Sequence, residues 1–324
     1  MKKIIIFNTS VGSLNTGDYV INESGRKQLS DVLKDNFIVE LPTHTPAVHN
    51  YQSINRNKLI QVCNSAEHKF IIGTNILAYN NLVPWPNWNV NIFNSKPYNN
   101  SIMVGVGSTP NAKNVNHYTK FLYKRILSHN FIHSTRDEKT KNMLESIGLR
   151  AINTGCVTMW EFTSEKCAKI PKEKSSQVVF TLTDYAKDIE KDQELINILR
   201  KNYKTVYFWP QGSDDYEYIL SLGHKNIRII SPQLDYYRSL LQSGSIDFVG
   251  TRLHAGVFAM QNNVRSIILM VDNRARDIQE NYNINAIERD ELSAKLDSMI
   301  NSTFTTDIKI SQDKINEWKS QFSK

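Results

Sequence analysis

Short apolar runs alternate with helix-patterned segments along nearly the whole chain, and no other feature constrains the fold as much. Ile4–Phe7, Phe37–Leu41, Phe70–Gly73 and Ile102–Val106 read as buried strands bounded by Gly, Pro or Asn. A helix from Asp18 onward turns Val20, Ile21, Leu29, Val32 and Leu33 inward, and a helix over Lys139–Ile147 stops at Gly148. The Lys/Ser-rich stretch Pro171-Lys172-Glu173-Lys174-Ser175-Ser176 breaks the pattern. The alternation then restarts with strands at Val178–Leu182, Thr205–Trp209, Ile227–Ile230, Ile246–Val249 and Ser266–Val271, and helices at Asp188–Leu199 and Leu234–Leu241. Strand–helix alternation implies parallel strands joined by right-handed crossovers. The expectation is an α/β chain of two Rossmann-like, doubly wound parallel-sheet domains facing a cleft. Residues 1–170 would form the first and 171–305 the second. Residues 306–324 would carry a last helix, capped by Ser311 and striped with Ile315, Trp318 and Phe322, that crosses back to the first domain.

Bulk properties agree with this reading. A length of 324 residues exceeds one ordinary core, and 40% hydrophobic with 22% charged residues fits a globular protein. The net charge of +7 arises from 39 Lys+Arg against 32 Asp+Glu, without a basic run of five. Such spread charge reads first as a solvated surface, with attraction toward anionic substrates or a membrane surface as the alternative, and no nucleic-acid partner is expected. Cys63, Cys156 and Cys167 are odd in number and lack metal-site or redox spacing, which fits a reducing compartment. The opening apolar run ends at Asn8, too short for a secretory leader, and no stretch approaches the roughly 18 apolar residues of a membrane span. The expected location is the cytoplasm, including the inner face of the cell membrane.

The chemistry concentrates at residues 245–260. A strand runs into Gly250-Thr251, then Arg252 and His254, then an apolar helix. Helix N-termini favour anions, a guanidinium can grip carboxylate or phosphate, and an imidazole can move a proton near neutral pH. Residues two apart on a helix diverge, so Arg252 and His254 can serve one ligand only if Arg252 still lies in the turn. Four other segments fall at strand ends. Asn15-Thr16-Gly17-Asp18 follows the first strand; Asp18 either meets substrate hydroxyls or caps a helix beginning at Tyr19. Arg136, in Ser134-Thr135-Arg136-Asp137, either binds an anion or pairs with Asp137 or Glu138. Gln211 follows Trp209, itself a core candidate, and Arg274 follows the strand after the His254 helix. Cys156 is either a proton donor or an inert buried thiol. His44, His49, His117, His129 and His133 lack ligand spacing, so no metal site is expected.

Taken together, these pieces resemble the polysaccharide pyruvyl transferase family. The matching segments are Asn15-Thr16-Gly17-Asp18, Gly73, Gly105-Val106-Gly107, Ser134-Thr135-Arg136-Asp137 with Leu144 and Gly148, Thr154-Gly155-Cys156 and Thr251-Arg252-Leu253-His254-Ala255, in the family's order. The chain departs from the family at Gly73-Thr74-Asn75, where a glycine triplet is usual, and at Gly155-Cys156-Val157, where Asp-Pro is usual. The resemblance implies a glycosyltransferase-B-like fold and transfer of pyruvate from phosphoenolpyruvate to a sugar of a cell-surface polysaccharide or its precursor, commonly as a ketal. The donor would be a substrate, with no separate cofactor, and the acceptor could be lipid-linked. In that scheme His254, Arg252 and Asp18 carry the chemistry. Arg136, Thr251, Arg274, Asn15, Gly17 and Gln211 bind substrate, with phosphoenolpyruvate on the second domain and the acceptor on the first. The alternatives are a nucleotide-sugar glycosyltransferase on the same fold and a non-catalytic glycan- or anion-binding relative.

Overall fold

The computed structural model describes residues 1–53, 57–83, 86–109 and 114–322, and only the backbone at residues 273 and 274. The chain packs as two units. One comprises Met1–Ser13, Ile21–Trp160 and Ser311–Lys324, the other Leu14–Val20 and Glu161–Ile310.

The first unit is built on a four-stranded parallel sheet of β1 (Lys3–Asn8), β2 (Phe37–Pro42), β3 (His68–Ile72) and β4 (Ile102–Val104), in the order β2-β1-β3-β4. A two-stranded parallel pair, β5 (His133–Thr135) and β6 (Ala151–Asn153), continues beside β4 through a bridge between Val106 and Thr135. Ile5, Phe7, Ile71 and Met103 lead the core, with Trp88, Tyr98 and Tyr123 fully buried among them. The C-terminal helix Gln312–Ser320 packs in this unit. Trp318 is fully buried, donates from its indole to the Ile132 carbonyl at 2.7 Å and meets Trp160 edge to face.

The second unit holds six parallel strands: β7 (Gln177–Thr181), β8 (Thr205–Phe208), β9 (Ile227–Ile229), β10 (Ile246–Gly250), β11 (Ser266–Met270) and β12 (Ala286–Glu288). Their order, β12-β11-β10-β7-β8-β9, is the doubly wound Rossmann arrangement. The chain leaves β7 in one direction toward β9 and returns to build β10 to β12 on the other side. The switch point therefore lies between β7 and β10, and ligands of open α/β sheets bind at the carboxyl ends of strands there.

Three expected boundaries move, each for a local reason. The units part at Trp160–Glu161 rather than at Pro171, because Lys166, on the helix Ser164–Ala168, donates to Gln261 O and Asn263 Oδ1 of the second unit. Residues 306–310 stay with the second unit, where Lys309 N donates to Tyr282 O at 2.9 Å. Residues 14–20, expected in the first domain, also group with the second unit. Thr16 N donates to Gln211 O at 2.8 Å and Thr16 Oγ1 to Pro232 O at 3.1 Å.

His133 shows how a polar side chain becomes structural. It is fully buried in β5, its Nδ1 accepts from Met103 N–H at 3.3 Å, and its Nε2 lies 2.9 Å from Ser128 O. That pattern requires the proton on Nε2 and none on Nδ1. Burial lowers the His133 pKa to about 4, although the Ser128 bond works the other way. An unfolded chain accepts the proton below about pH 6.5, whereas the folded one resists it. The contribution of His133 is complete above that pH and is lost as pH falls toward 4, by up to about 3 kcal/mol. Melting temperature measured from pH 7 to 4 is expected to fall accordingly, and His133→Gln to flatten part of the slope.

Candidate active site

The second unit places its chemistry at the switch point. Arg252 follows β10, and its backbone is extended (φ −84°, ψ 102°) as the N-cap of the helix Leu253–Gln261. It therefore lies in the turn, which meets the condition for serving one ligand with His254. His254 is the second residue of that helix and is half-buried.

The Arg252 guanidinium is 6% exposed and is held from two sides. Its Nε donates to Asp215 Oδ2 at 3.0 Å and to Leu182 O at 3.2 Å, and its Nη2 donates to Asp215 Oδ1 and Asp184 Oδ1. Two of its five N–H donors sit on Nη1, which donates no hydrogen bond among the described residues. The sequence predicts at Arg252 a fixed cation that can grip a carboxylate or phosphate bidentately. In the structure one edge of its fork is committed to Asp215, and only its Nη1 end stays available to an anion.

Asp215 organises this corner. It is fully buried and accepts from Gln211 N at 3.1 Å, Gly212 N at 2.8 Å and Asp184 N at 3.1 Å, besides Arg252. Burial pushes its carboxyl above the usual range, while Arg252 and the backbone N–H groups pull it down. For Arg252 burial opposes the charge, but the bonds and charge of Asp215 outweigh it and hold the guanidinium above its ordinary pKa. The Tyr185 ring lies over the guanidinium with its centroid 5.1 Å away, and its hydroxyl donates to Asp272 Oδ2 at 3.1 Å. Gly212 leaves the room this requires, since a Cβ there would stand 2.7 Å from Arg252 Nη2. Gly212→Ala is therefore expected to displace the guanidinium and weaken phosphate-type anion binding at least about tenfold, with a fall in melting temperature because the buried Asp215 loses part of its pairing. Titration of the purified variant with orthophosphate checks this.

The remaining expected site residues occupy varied places. Thr251 is buried and bonds Thr183 Oγ1 at 2.8 Å, pinning the ends of β10 and β7. Gln211 is 3% exposed; its amide donates to Asn15 Oδ1 at 2.9 Å, while its Oε1 is buried without a partner among the described residues. It ties the Asn15 segment down instead of lining an open edge. Asn15, not Asp18, caps the helix Thr16–Gln28, accepting from Gly17 N at 3.0 Å. Gly17 is buried, and a Cβ on it would come within 2.8 Å of the Gln211 amide. Asp18 is the third residue of that helix and half-buried. Arg274 falls in the helix Asn273–Tyr282, and its side chain lies outside the described residues. Trp209 is core, stacked on Tyr237 at 3.8 Å. Cys156 is buried beside Thr158 Oγ1. Among the described residues there is no cluster of His, Cys, Asp and Glu fit to hold a metal, and no helix is long and apolar enough to cross a membrane.

In the first unit, Arg136 follows β5 just ahead of the helix Glu138–Ser146, which Asp137 caps. Its side chain is 17% exposed, and its Nε lies 3.6 Å from Asp137 Oδ2. The guanidinium packs over Gly107, where a Cβ would meet Arg136 Cζ at 3.0 Å and Asn75 Oδ1 at 2.2 Å. Asn75 Oδ1 is buried without a hydrogen-bond partner among the described residues. The departure from the glycine triplet thus puts an amide beside Arg136.

Asp184 and Asp215 were missed in the sequence. Their only signal there is a carboxylate a few residues beyond a strand end.

Comparison with known proteins agrees with this architecture. The sequence profile of the polysaccharide pyruvyl transferase family matches residues 15–273. Among curated proteins, no relative of similar sequence is found. A structure assigned as a UDP-N-acetylglucosamine 2-epimerase of Listeria monocytogenes superposes with a TM-score of 0.53 at 11% identity, covering 99% of this chain and 96% of that one. The UDP complex of S. aureus MnaA superposes with a TM-score of 0.50 at 13% identity, covering 98% of this chain and 94% of that one. These likenesses concern the fold, which is glycosyltransferase-B-like with two parallel-sheet domains.

Proposed function

The chain belongs to the polysaccharide pyruvyl transferase family and is thereby a sugar-modifying transferase, and we propose that it moves the pyruvyl group of phosphoenolpyruvate onto a sugar of a cell-surface polysaccharide or its precursor as a ketal. The observation that carries this reading is the Arg252 guanidinium, charged and buried at the switch point of the second sheet, with Nη1 uncommitted among the described residues and His254 second in the adjoining helix.

Phosphoenolpyruvate carries a carboxylate and a phosphate. Arg252 Nη1 and the N-terminus of the Leu253–Gln261 helix supply positive charge for one of them. Arg136 is the first unit's candidate for an anionic group. His254 gives a proton to carbon 3, so the methylene becomes a methyl and carbon 2 becomes electrophilic. One sugar hydroxyl adds to carbon 2 and gives up its proton, for which Asp18 is the candidate acceptor. A second hydroxyl then displaces phosphate from the same carbon and closes the ketal, its proton leaving with the phosphate. The balance is one phosphoenolpyruvate and one diol giving one ketal and one phosphate, with no oxidant or reductant. Peripheral membrane association would suit a lipid-linked acceptor and the chain's net charge of +7.

Calorimetric titration with phosphoenolpyruvate and, separately, with UDP-N-acetylglucosamine tests the reading. Binding of phosphoenolpyruvate that is lost in Arg252→Ala supports it. Binding of the nucleotide sugar alone assigns the chain to the glycosyltransferase alternative.

A further inference from the structure

We propose that Asp184 is an internal anion that occupies part of the Arg252 fork and is exchanged for the anionic group of the donor. This rests on Arg252 being an anion ligand, as in the function proposed above.

A guanidinium presents two bidentate edges to carboxylates or phosphates, one from Nε and Nη2, the other from Nη1 and Nη2. Asp215 fills the first with both of its oxygens. Asp184 Oδ1 takes the Nη2 donor that the second edge needs, and Nη1 makes no bond among the described residues. An incoming carboxylate or phosphate can therefore sit end-on and bidentate only by taking the place of Asp184 Oδ1.

The two carboxylates differ in the way exchange demands. The Asp215 side chain is 0% exposed and is tied to three backbone N–H groups, whereas that of Asp184 is 25% exposed. Asp184 lies in a short turn (Asp184–Ala186), held through its backbone N–H to Asp215. Its side chain can swing away without freeing Arg252, which Asp215 retains. Tyr185 covers one face of the guanidinium and leaves approach in its plane. Charge gives the exchange a direction. With both carboxylates ionised, two negative charges face one positive charge, and the cluster carries a net −1 that opposes a free anion. Leaving Asp184 neutral removes that opposition at contact distance, which in a partly buried site amounts to about tenfold in anion affinity.

The test is isothermal titration of wild type, Asp184→Asn and Asp214→Asn with orthophosphate and with phosphoenolpyruvate. Asp214 is exposed beside the site and touches Ser213 instead of Arg252, so it controls for general charge. Asp184→Asn is expected to bind both anions about tenfold tighter, and Asp214→Asn to stay within about twofold. A side chain that only braced the turn would weaken binding when altered, so tightening separates the two roles. Asp184→Ser is the second variant, should the first fold poorly. Unchanged or weaker binding of both anions in both Asp184 variants overturns the exchange, as does absence of binding throughout. Phosphoenolpyruvate binding without tightening leaves the proposed function standing and removes the exchange. Tighter orthophosphate binding with no affinity for phosphoenolpyruvate keeps the exchange and removes the proposed donor.

Discussion

His254→Asn is expected to slow phosphate release from phosphoenolpyruvate by about 10²- to 10⁴-fold, the range for removal of a general acid. Donor affinity is expected to change far less, because Arg252 keeps its bonds to Asp215 and Asp184 whatever stands at position 254. The combination is diagnostic. A residue that only packs at the helix start would alter melting temperature and binding together. A proton donor lowers kcat and leaves the dissociation constant near the wild-type value. Single-turnover phosphate release, read beside calorimetric titration of the same preparation, separates the two. Unchanged turnover in His254→Asn removes this residue from the mechanism.

The largest expected loss of stability lies away from the site, at Arg265 and Asp247. Both are 1% exposed, with Arg265 Nη1 3.0 Å from Asp247 Oδ2. Arg265 also donates to the carbonyls of Lys172, Met299, Ile300 and Ser302, and its guanidinium lies 4.0 Å from the centre of the Phe304 ring. Asp247 accepts from Tyr203 Oη at 2.8 Å and from Ser175 N. Burial pushes the Asp247 carboxyl up, and Arg265 is the first influence holding it down. Arg265→Met strands that carboxylate and several carbonyls, at a cost of about 3–5 kcal/mol. Asp247→Leu combined with Arg265→Met is expected to recover part of the loss, since an apolar pair leaves no buried charge unpaired. Urea denaturation of the single and double variants measures both. Equal stability of Arg265→Met and wild type contradicts the assignment.

The strands that the sequence shows most plainly are those with uninterrupted apolar runs. Ile4–Phe7 and Ile267–Val271 declare themselves because burial on both faces requires four or five apolar residues in succession. β5 and β6 escape the same reading, since each is three residues long, His133–Thr135 being polar throughout and Ala151–Asn153 holding only two apolar residues. The burial of β5 is decided by bonds such as Gly105 N to Ser134 Oγ, which no local pattern announces. The helix Ser213–Leu222 opens on acidic residues that favour an N-terminus, yet Asp215 within it turns inward to Arg252.

The candidate site follows the same division. Gly250-Thr251-Arg252-Leu253-His254 is legible because strand, turn and helix mouth lie side by side in the chain. The partners of Arg252 are not, being 68 and 37 residues away in sequence and joined to it only by the order β10-β7-β8. Asn15 and Gln211 are separated by 196 residues, so a segment near the N-terminus groups with the second unit. Within that unit, topology converts a visible cation into a cluster with two carboxylates, which sequence alone does not disclose.

The central claim is that phosphoenolpyruvate gives up its pyruvyl group to a sugar. Incubating the protein with phosphoenolpyruvate labelled with ¹³C at carbon 2, together with glycan precursors extracted from the producing cell, tests it most directly by ¹³C and ³¹P NMR. The expected result is inorganic phosphate and a labelled quaternary ketal carbon on the glycan appearing in equal amounts, both absent from His254→Asn. Labelled donor that stays intact while a nucleotide sugar is consumed would contradict the account.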